Sequence, residues 1–95
     1  MMKGVVMALT NTYNHHIFLY DRKSLKLNGI IKIDHFDEQE FLLESSMGWI
    51  IVKGKQLTLK NMELNKQEVI IEGEINLIQY IEHHQKNNWL SKLLK

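Results

Sequence analysis

Histidines and carboxylates are the side chains of this sequence whose spacing could do chemistry. Two adjacent pairs, His15-His16 and His83-His84, suggest a metal site. Adjacent histidines point to opposite sides of a strand and lie roughly 100° apart around a helix, so neither pair chelates a metal well. Four acids could form a calcium loop or a general acid and base: Asp34, Asp37, Glu38 and Glu40. They lack the glycine and the distal glutamate of an EF-hand, so we predict a solvated turn, with no catalytic residue, metal or cofactor.

Aromatic side chains raise a second possibility, a stacking platform for nucleic-acid bases on an OB-like sheet. The candidates are Phe18, Tyr20, Phe36, Phe41, Trp49 and Tyr80. Such a platform needs basic residues between the rings, but twelve Lys and Arg are balanced by eleven Asp and Glu. Core packing is therefore favoured, with Phe36 closing one end of the core, and no nucleic-acid partner is expected. A ligand- or nucleic-acid-binding small β-barrel stays the alternative function.

Composition limits the class of protein. Ninety-five residues suffice for one modest core, so a single domain is predicted. The chain has no cysteine, which excludes a disulfide scaffold and predicts a cytoplasmic protein. No run approaches the roughly 18 apolar residues that a membrane-spanning helix needs.

Short β-branched runs separated by turn residues predict an all-β domain over residues 15–82, after an N-terminal tail, residues 1–14. We expect an antiparallel meander of about seven short strands that forms a small sandwich or barrel. Apolar runs flank Gly29, Gly54 and Gly73, and each is predicted to form a hairpin, with a type I′ turn at Asn28-Gly29. Strands are also predicted at 16–20 and 40–45, with turns at 21–24, 46–48 (with Gly48) and 64–68.

The last segment, residues 83–95, differs in pattern. Its apolar residues fall at i, i+1, i+4 and i+5, which predicts a short amphipathic helix. Two helical turns are unstable alone in water, so the segment must dock on its own domain, on a membrane surface or in a partner's groove. The predicted contact residues are Trp89, Leu90, Lys92, Leu93 and Leu94. Proline is absent, so exposed strand edges leave both a homo-oligomer and a monomer with lysine-guarded edges open.

Several motifs between residues 16 and 80 resemble the YabP/YqfC family of sporulation proteins. They are Leu25-x-Leu27-x-Gly29, Phe36-Asp37, Glu40-Phe41-Leu42-Leu43-Glu44, Met47-Gly48, Lys53-Gly54-x-x-Leu57, Leu59-Lys60-Asn61-Met62, Val69-x-Ile71-x-Gly73 and Tyr80. The ending from Trp89 to Lys95 is similar to the aromatic and basic tail of the YabP branch. His35 departs from the family, which usually has a small polar residue before Phe-Asp.

The resemblance implies a non-catalytic role in endospore formation. It places the protein in the mother cell, where it would support the spore cortex and coat layers as an assembly or docking module. It also implies a membrane-protein partner of the YabQ kind, hence peripheral contact with the forespore membrane. The family motifs are structural, with glycines in turns and Phe36-Asp37 in a loop.

Overall fold

A computed structural model describes residues 14–82 as six antiparallel strands in one open sheet. The strands are β1 (His16–Tyr20), β2 (Ser24–Asn28), β3 (Ile30–Phe36), β4 (Glu40–Ser45), β5 (Gly48–Glu63) and β6 (Glu68–Ile81). Their order across the sheet is β1-β2-β6-β5-β4-β3. The predicted all-β class is confirmed. Within the described residues there are six strands rather than about seven, and the sheet does not close into a barrel.

Three tight turns lie at the predicted polar segments. Asp21 and Arg22, between β1 and β2, have φ of 54° and 55°, as a type I′ hairpin turn requires. Between β4 and β5, the Ser45 hydroxyl donates to the Gly48 carbonyl at 2.6 Å and accepts from the Met47 N–H at 3.1 Å. The third turn joins β5 to β6 after Glu63. These turns and the strands His16–Tyr20 and Glu40–Ser45 confirm the predictions made for them.

The hairpins predicted at Gly29, Gly54 and Gly73 are wrong. Gly29 carries the chain from β2, which pairs with β1 and β6, to β3, which pairs with β4. Gly54 lies inside the continuous strand β5, and Gly73 lies inside β6. Apolar residues on both sides of these glycines therefore belong to one bent strand, or to two strands that do not pair.

Close backbone approach explains why Gly54 and Gly73 are glycines. A Cβ on Gly54 would overlap the Glu74 carbonyl oxygen, and one on Gly73 would lie 2.6 Å from the Gln56 carbonyl oxygen. The pairing of β5 with β6 shifts register here, between Lys53 and Gly54 and again between Lys55 and Thr58. Such bulges bend strands, so the two long strands change direction together where their backbones come closest.

The bend encloses the main core. β2 pairs with the first half of β6, whereas β4 pairs with the first half of β5, so the two halves of the bent sheet face each other. Their inward side chains form one buried cluster: Leu25, Leu27, Ile30, Phe41, Leu43, Ile50, Val52, Leu57, Val69, Ile71 and Ile75.

A second apolar group lies on the opposite face of β4, β5 and β6. It consists of Leu42, Trp49 and Ile51 with the partly buried Ile81, and we call it the outer cluster. Residues alternate between faces along a strand, so Leu42 lies opposite Phe41 and Leu43. Strands β4 and β5 thus bury apolar residues on both faces.

The predicted terminal segments fall outside the described residues. These are most of the N-terminal tail and the amphipathic helix, with its contact residues Trp89, Leu90, Lys92, Leu93 and Leu94, so both stay predictions. Within residues 14–82, no helix has the length and apolar character needed to cross a membrane.

Candidate interaction surface

The two strands at the ends of the sheet order are the most distinctive exposed features. Within residues 14–82, β1 and β3 each pair with only one neighbour in the sheet. Such a strand presents a row of unpaired N–H and C=O groups to which another chain can add a strand. Both edges also carry large apolar side chains that are 40–53% exposed: Phe18, Leu19 and Tyr20 on β1, and Ile31 and Phe36 on β3.

Local sequence explains the exposure of β1. Its five residues, His16–Tyr20, contain neither lysine nor proline, the residues that commonly protect an edge. Only Ile17 packs against the main core. Phe18 stacks on the His16 ring at 6.0 Å, and the Lys26 ammonium lies 5.9 Å from its centroid. This edge is thus apolar and aromatic, with one cation beside it.

The β3 edge borders an apolar groove of about 490 Å³. One wall is β3 itself, and the other is formed by the end of β5 and the following turn, with Leu59, Met62 and Leu64. Met62 and Leu64 are about half exposed. A free strand edge beside an apolar groove provides both backbone hydrogen bonds and side-chain pockets for an added strand.

Phe36 does not close the core as predicted. It is the last residue of β3 rather than part of a loop, it is 49% exposed, and its ring stacks 4.8 Å from that of buried Phe41. Asp37 follows in the turn, where its Oδ1 accepts the N–H groups of Gln39 and Glu40 at 2.8 and 2.9 Å. Phe36 therefore belongs to the exposed edge, while Asp37 organises the turn into β4.

The four acids are not gathered into one cleft. Glu40 is buried on the outer face, with one carboxylate oxygen 3.3 Å from His35 Nε2 and the other 3.9 Å from Lys53 Nζ. Asp34 lies 3.5 Å from His35 Nδ1. Sequence reasoning missed the burial of Glu40, although its alternation with Leu42 is a usable signal. Among the described residues, no His, Asp and Glu side chains group as a metal site would require.

His15 and His16 point to different partners. Nδ1 of His15 donates to the Asn28 carbonyl at 2.8 Å, and its Nε2 is hydrogen-bonded to the Tyr80 hydroxyl at 2.7 Å. His16 Nδ1 instead lies 3.0 Å from Asn28 Oδ1. The pair therefore links the start of β1 to the end of β6 and does not chelate. The second pair, His83-His84, lies outside the described residues.

The six aromatic candidates do not form a single platform. Phe18 and Tyr20 lie on β1, Phe36 on β3 at the opposite end of the sheet order, and Phe41 in the main core. Trp49 belongs to the outer cluster. Core packing was therefore the right prediction for Phe41 and Trp49 and was wrong for the exposed rings.

The glycines singled out in the sequence have architectural positions. Gly48 begins β5 with φ of 131°, and Gly29 has φ of 76° between β2 and β3. Together with the bend at Gly54 and Gly73, they fix where each half of the sheet ends. These glycines affect the candidate surface only indirectly, because the sheet that they shape has β1 and β3 as its edges.

Comparison with known proteins assigns a family. Residues 11–87 match the YabP family. The chain is 34% identical over 84 residues to the spore protein YabP of Bacillus subtilis (strain 168), an alignment that covers 85% of this chain and 84% of that protein. The match includes all six strands, both sheet edges and the glycine bend. The chain therefore belongs to the YabP family of sporulation proteins.

Proposed function

We propose that this protein is a non-catalytic assembly or docking module of sporulation, which supports the spore cortex and coat layers from the mother cell. Family membership supports the sporulation role. The observation that carries the assembly role is the pair of edges of the described sheet, β1 and β3, with their exposed apolar side chains.

Strand addition is the mode of assembly that fits these edges. In that mode the added backbone satisfies N–H and C=O groups, and alternate side chains enter pockets. β1 offers Phe18, Leu19 and Tyr20, while β3 offers its edge and the adjoining groove. The only lysine of β3, Lys32, lies 5.6 Å from the Trp49 ring on the outer face. β3 also has two register shifts against β4, so β1 is the less protected of the two edges.

The two edges differ in sequence, and this affects the geometry of assembly. If β1 of one copy pairs with β3 of the next, the contact is head-to-tail and extends into an open row of molecules. If β3 pairs with β3, or β1 with β1, the contact is symmetric and stops at a dimer. We propose the head-to-tail form, because an apolar strand such as β1 matches the apolar groove beside β3.

Light scattering coupled to size-exclusion chromatography tests the assembly role. Ile31→Lys places a charge on the β3 edge, and Leu19→Lys places one on the β1 edge. Met47→Lys is the matched control, since Met47 is 55% exposed in a turn rather than on an edge. Wild type and the control should form concentration-dependent oligomers, whereas each edge variant alone should form none larger than a dimer.

Mixing the two edge variants distinguishes the geometries. In a head-to-tail row, each variant keeps one functional edge, so the mixture should form heterodimers and nothing larger. In a symmetric β3–β3 dimer, Leu19→Lys alone would dimerise like wild type. A wild-type protein that stays strictly monomeric at every concentration would refute assembly through strand edges.

We further propose that the protein acts at the forespore membrane beside a membrane-protein partner of the YabQ kind. This placement rests on the family resemblance alone. A fluorescent fusion expressed during sporulation should form a rim around the forespore. A diffuse signal from a folded fusion would refute the placement.

The rival function, binding of single-stranded nucleic acid, has less support. It would use the exposed rings of β1, but the cation beside them, Lys26, also pairs with Glu68 at 3.1 Å. Nucleic-acid binding through a stacking surface is strongly salt-dependent. A fluorescence titration with single-stranded oligonucleotides at low salt should show no saturable change, and a salt-sensitive binding curve would favour the rival.

A further inference from the structure

The outer cluster has a feature that the sheet alone does not explain. Leu42 and Ile51 are neighbours in register on β4 and β5, and neither side chain has any exposed surface. Trp49 is paired with Ile81 one step along the same face and is 7% exposed. This degree of burial is usual for a core and unusual for the outer face of a sheet.

Neighbours within the sheet cannot produce such burial. All four members lie side by side on three adjacent strands, so they touch one another laterally, while atoms above the face are needed to exclude water from it. The described strands form the sheet itself, and its other half faces the main core on the opposite side. Within residues 14–82, no strand forms a second layer over the outer cluster, and the side chain seen above it is that of Lys32, whose Nζ lies 5.6 Å from the Trp49 ring centroid.

We propose that residues 83–95 of the same chain cover the outer cluster, with Trp89, Leu90, Leu93 and Leu94 directed at Leu42 and Ile51. β6 ends at Ile81, which belongs to the cluster, so the chain leaves the sheet directly at this face. Leu42 lies on the second strand from β6, about 10 Å away across the strands. A few residues span that distance, since an extended chain covers about 3.3 Å per residue.

The charges of the two surfaces are complementary. Residues 83–95 contain three lysines and no acid. The same face of β4 carries Glu40 and Glu44, which flank Leu42 along the strand. Lys53 already pairs with Glu40 on this face and Lys32 lies over the Trp49 ring, so Glu44 is the acid of β4 that the lysines of the segment would approach.

The N-terminal segment is a weaker candidate for the covering layer. It enters the described structure at Asn14, which leads into β1 at the opposite end of the sheet order from β3 and β4. The backbone of Asn14 lies against Gly29, and His15 bonds to Asn28 and Tyr80. These contacts place Asn14 and His15, where the described chain begins, at the corner between β2 and β3.

Tryptophan fluorescence tests the proposal in the full chain. Trp89→Phe leaves Trp49 as the single tryptophan and keeps an apolar ring at position 89. Acrylamide should quench Trp49 weakly in this background. Adding Leu93→Asp should raise quenching towards that of the urea-unfolded chain. Ser91→Asp, the matched control on the other side of the predicted helix, should leave quenching unchanged.

A disulfide experiment covers the case in which Leu93→Asp destabilises the protein. The natural chain has no cysteine, so Glu44→Cys with Lys92→Cys creates a single defined pair. Mild oxidation should give an intramolecular crosslink in the monomer. Glu63→Cys, at the far end of β5, should give none with Lys92→Cys.

Other outcomes identify other occupants of the face. Crosslinks that form only between molecules would overturn the proposal in favour of a second copy. Unchanged Trp49 quenching after Leu93→Asp, together with no crosslink, would also overturn it, and binding of the chain to anionic phospholipid vesicles would then assign the tail to a membrane. Strand-edge assembly is measured with different variants, so failure here leaves the proposed function intact.

Discussion

Three glycines of the long strands allow a sharp prediction about how this sequence specifies its sheet. Gly48, Gly54 and Gly73 differ in which constraint they satisfy. Gly48 has φ of 131°, but a Cβ there would have its nearest neighbour in the Tyr80 ring at 3.7 Å. For Gly54 only the space is restricted, because a Cβ would overlap the Glu74 carbonyl oxygen. Gly73 combines φ of 136° with a carbonyl oxygen 2.6 Å from the Cβ position.

Alanine at each position should therefore cost a different free energy of unfolding. Backbone strain at positive φ is worth about 1–3 kcal/mol, partly offset by about 0.4–1 kcal/mol because alanine restricts the unfolded chain, so Gly48→Ala should lose about 1 kcal/mol. Gly54→Ala forces two backbones apart and should lose about 3 kcal/mol, the upper end of the overpacking range. Gly73→Ala suffers both effects and should lose about 4 kcal/mol or more.

Urea unfolding followed by circular dichroism measures these losses. At an m-value of about 1.5 kcal/mol per molar, a loss of 3 kcal/mol lowers the midpoint by about 2 M. The order of midpoints should be wild type, Gly48→Ala, Gly54→Ala and Gly73→Ala, from highest to lowest. If Gly54→Ala is no less stable than Gly48→Ala, close backbone approach is not what position 54 requires, and an open hairpin turn there becomes the better account.

Four further substitutions can be measured in the same assay. Phe36→Ala should lose about 1–2 kcal/mol, because the ring stacks on a buried phenylalanine despite its exposure, whereas Tyr20→Ala should change stability by no more than about 0.5 kcal/mol. Tyr80→Phe removes the hydroxyl bonded to His15 and should lose about 0.5–1.5 kcal/mol. Glu40→Gln replaces a buried carboxylate that contacts His35 and Lys53 and should lose about 1–3 kcal/mol; an unchanged midpoint would show that these contacts contribute nothing.

The features that could be predicted from the sequence are local. Strand β1 is bounded by polar residues, and Asp21-Arg22-Lys23 supplies a turn without long-range help. A glycine between apolar runs is ambiguous, since the same pattern fits a hairpin turn and a bend in one strand. At Gly54 and Gly73 the choice depends on β5 pairing with β6 along nearly its whole length.

The candidate surface depends on strand order, and the sequence carries little of that information. β2 lies next to β6 rather than next to β3, so the neighbours of β3 cannot be inferred from its position in the chain. Once the order is known, the two edges follow at once. The exposed rings of Phe18 and Phe36 then belong to these edges, whereas composition alone had assigned them to the core.

The pattern of apolar residues along the central strands explains both why the outer cluster needs a cover and why the edges stay exposed. A strand with one solvated face alternates apolar and polar residues, whereas a strand covered on both faces is apolar throughout. Phe41-Leu42-Leu43 and Trp49-Ile50-Ile51-Val52 are of the second kind, so the centre of the sheet requires layers on both sides. The bent sheet supplies one layer, and residues 83–95, on our proposal, supply the other. Covering the faces in this way leaves β1 and β3, the edges of the described sheet, as the surfaces to which a strand of a second molecule can add.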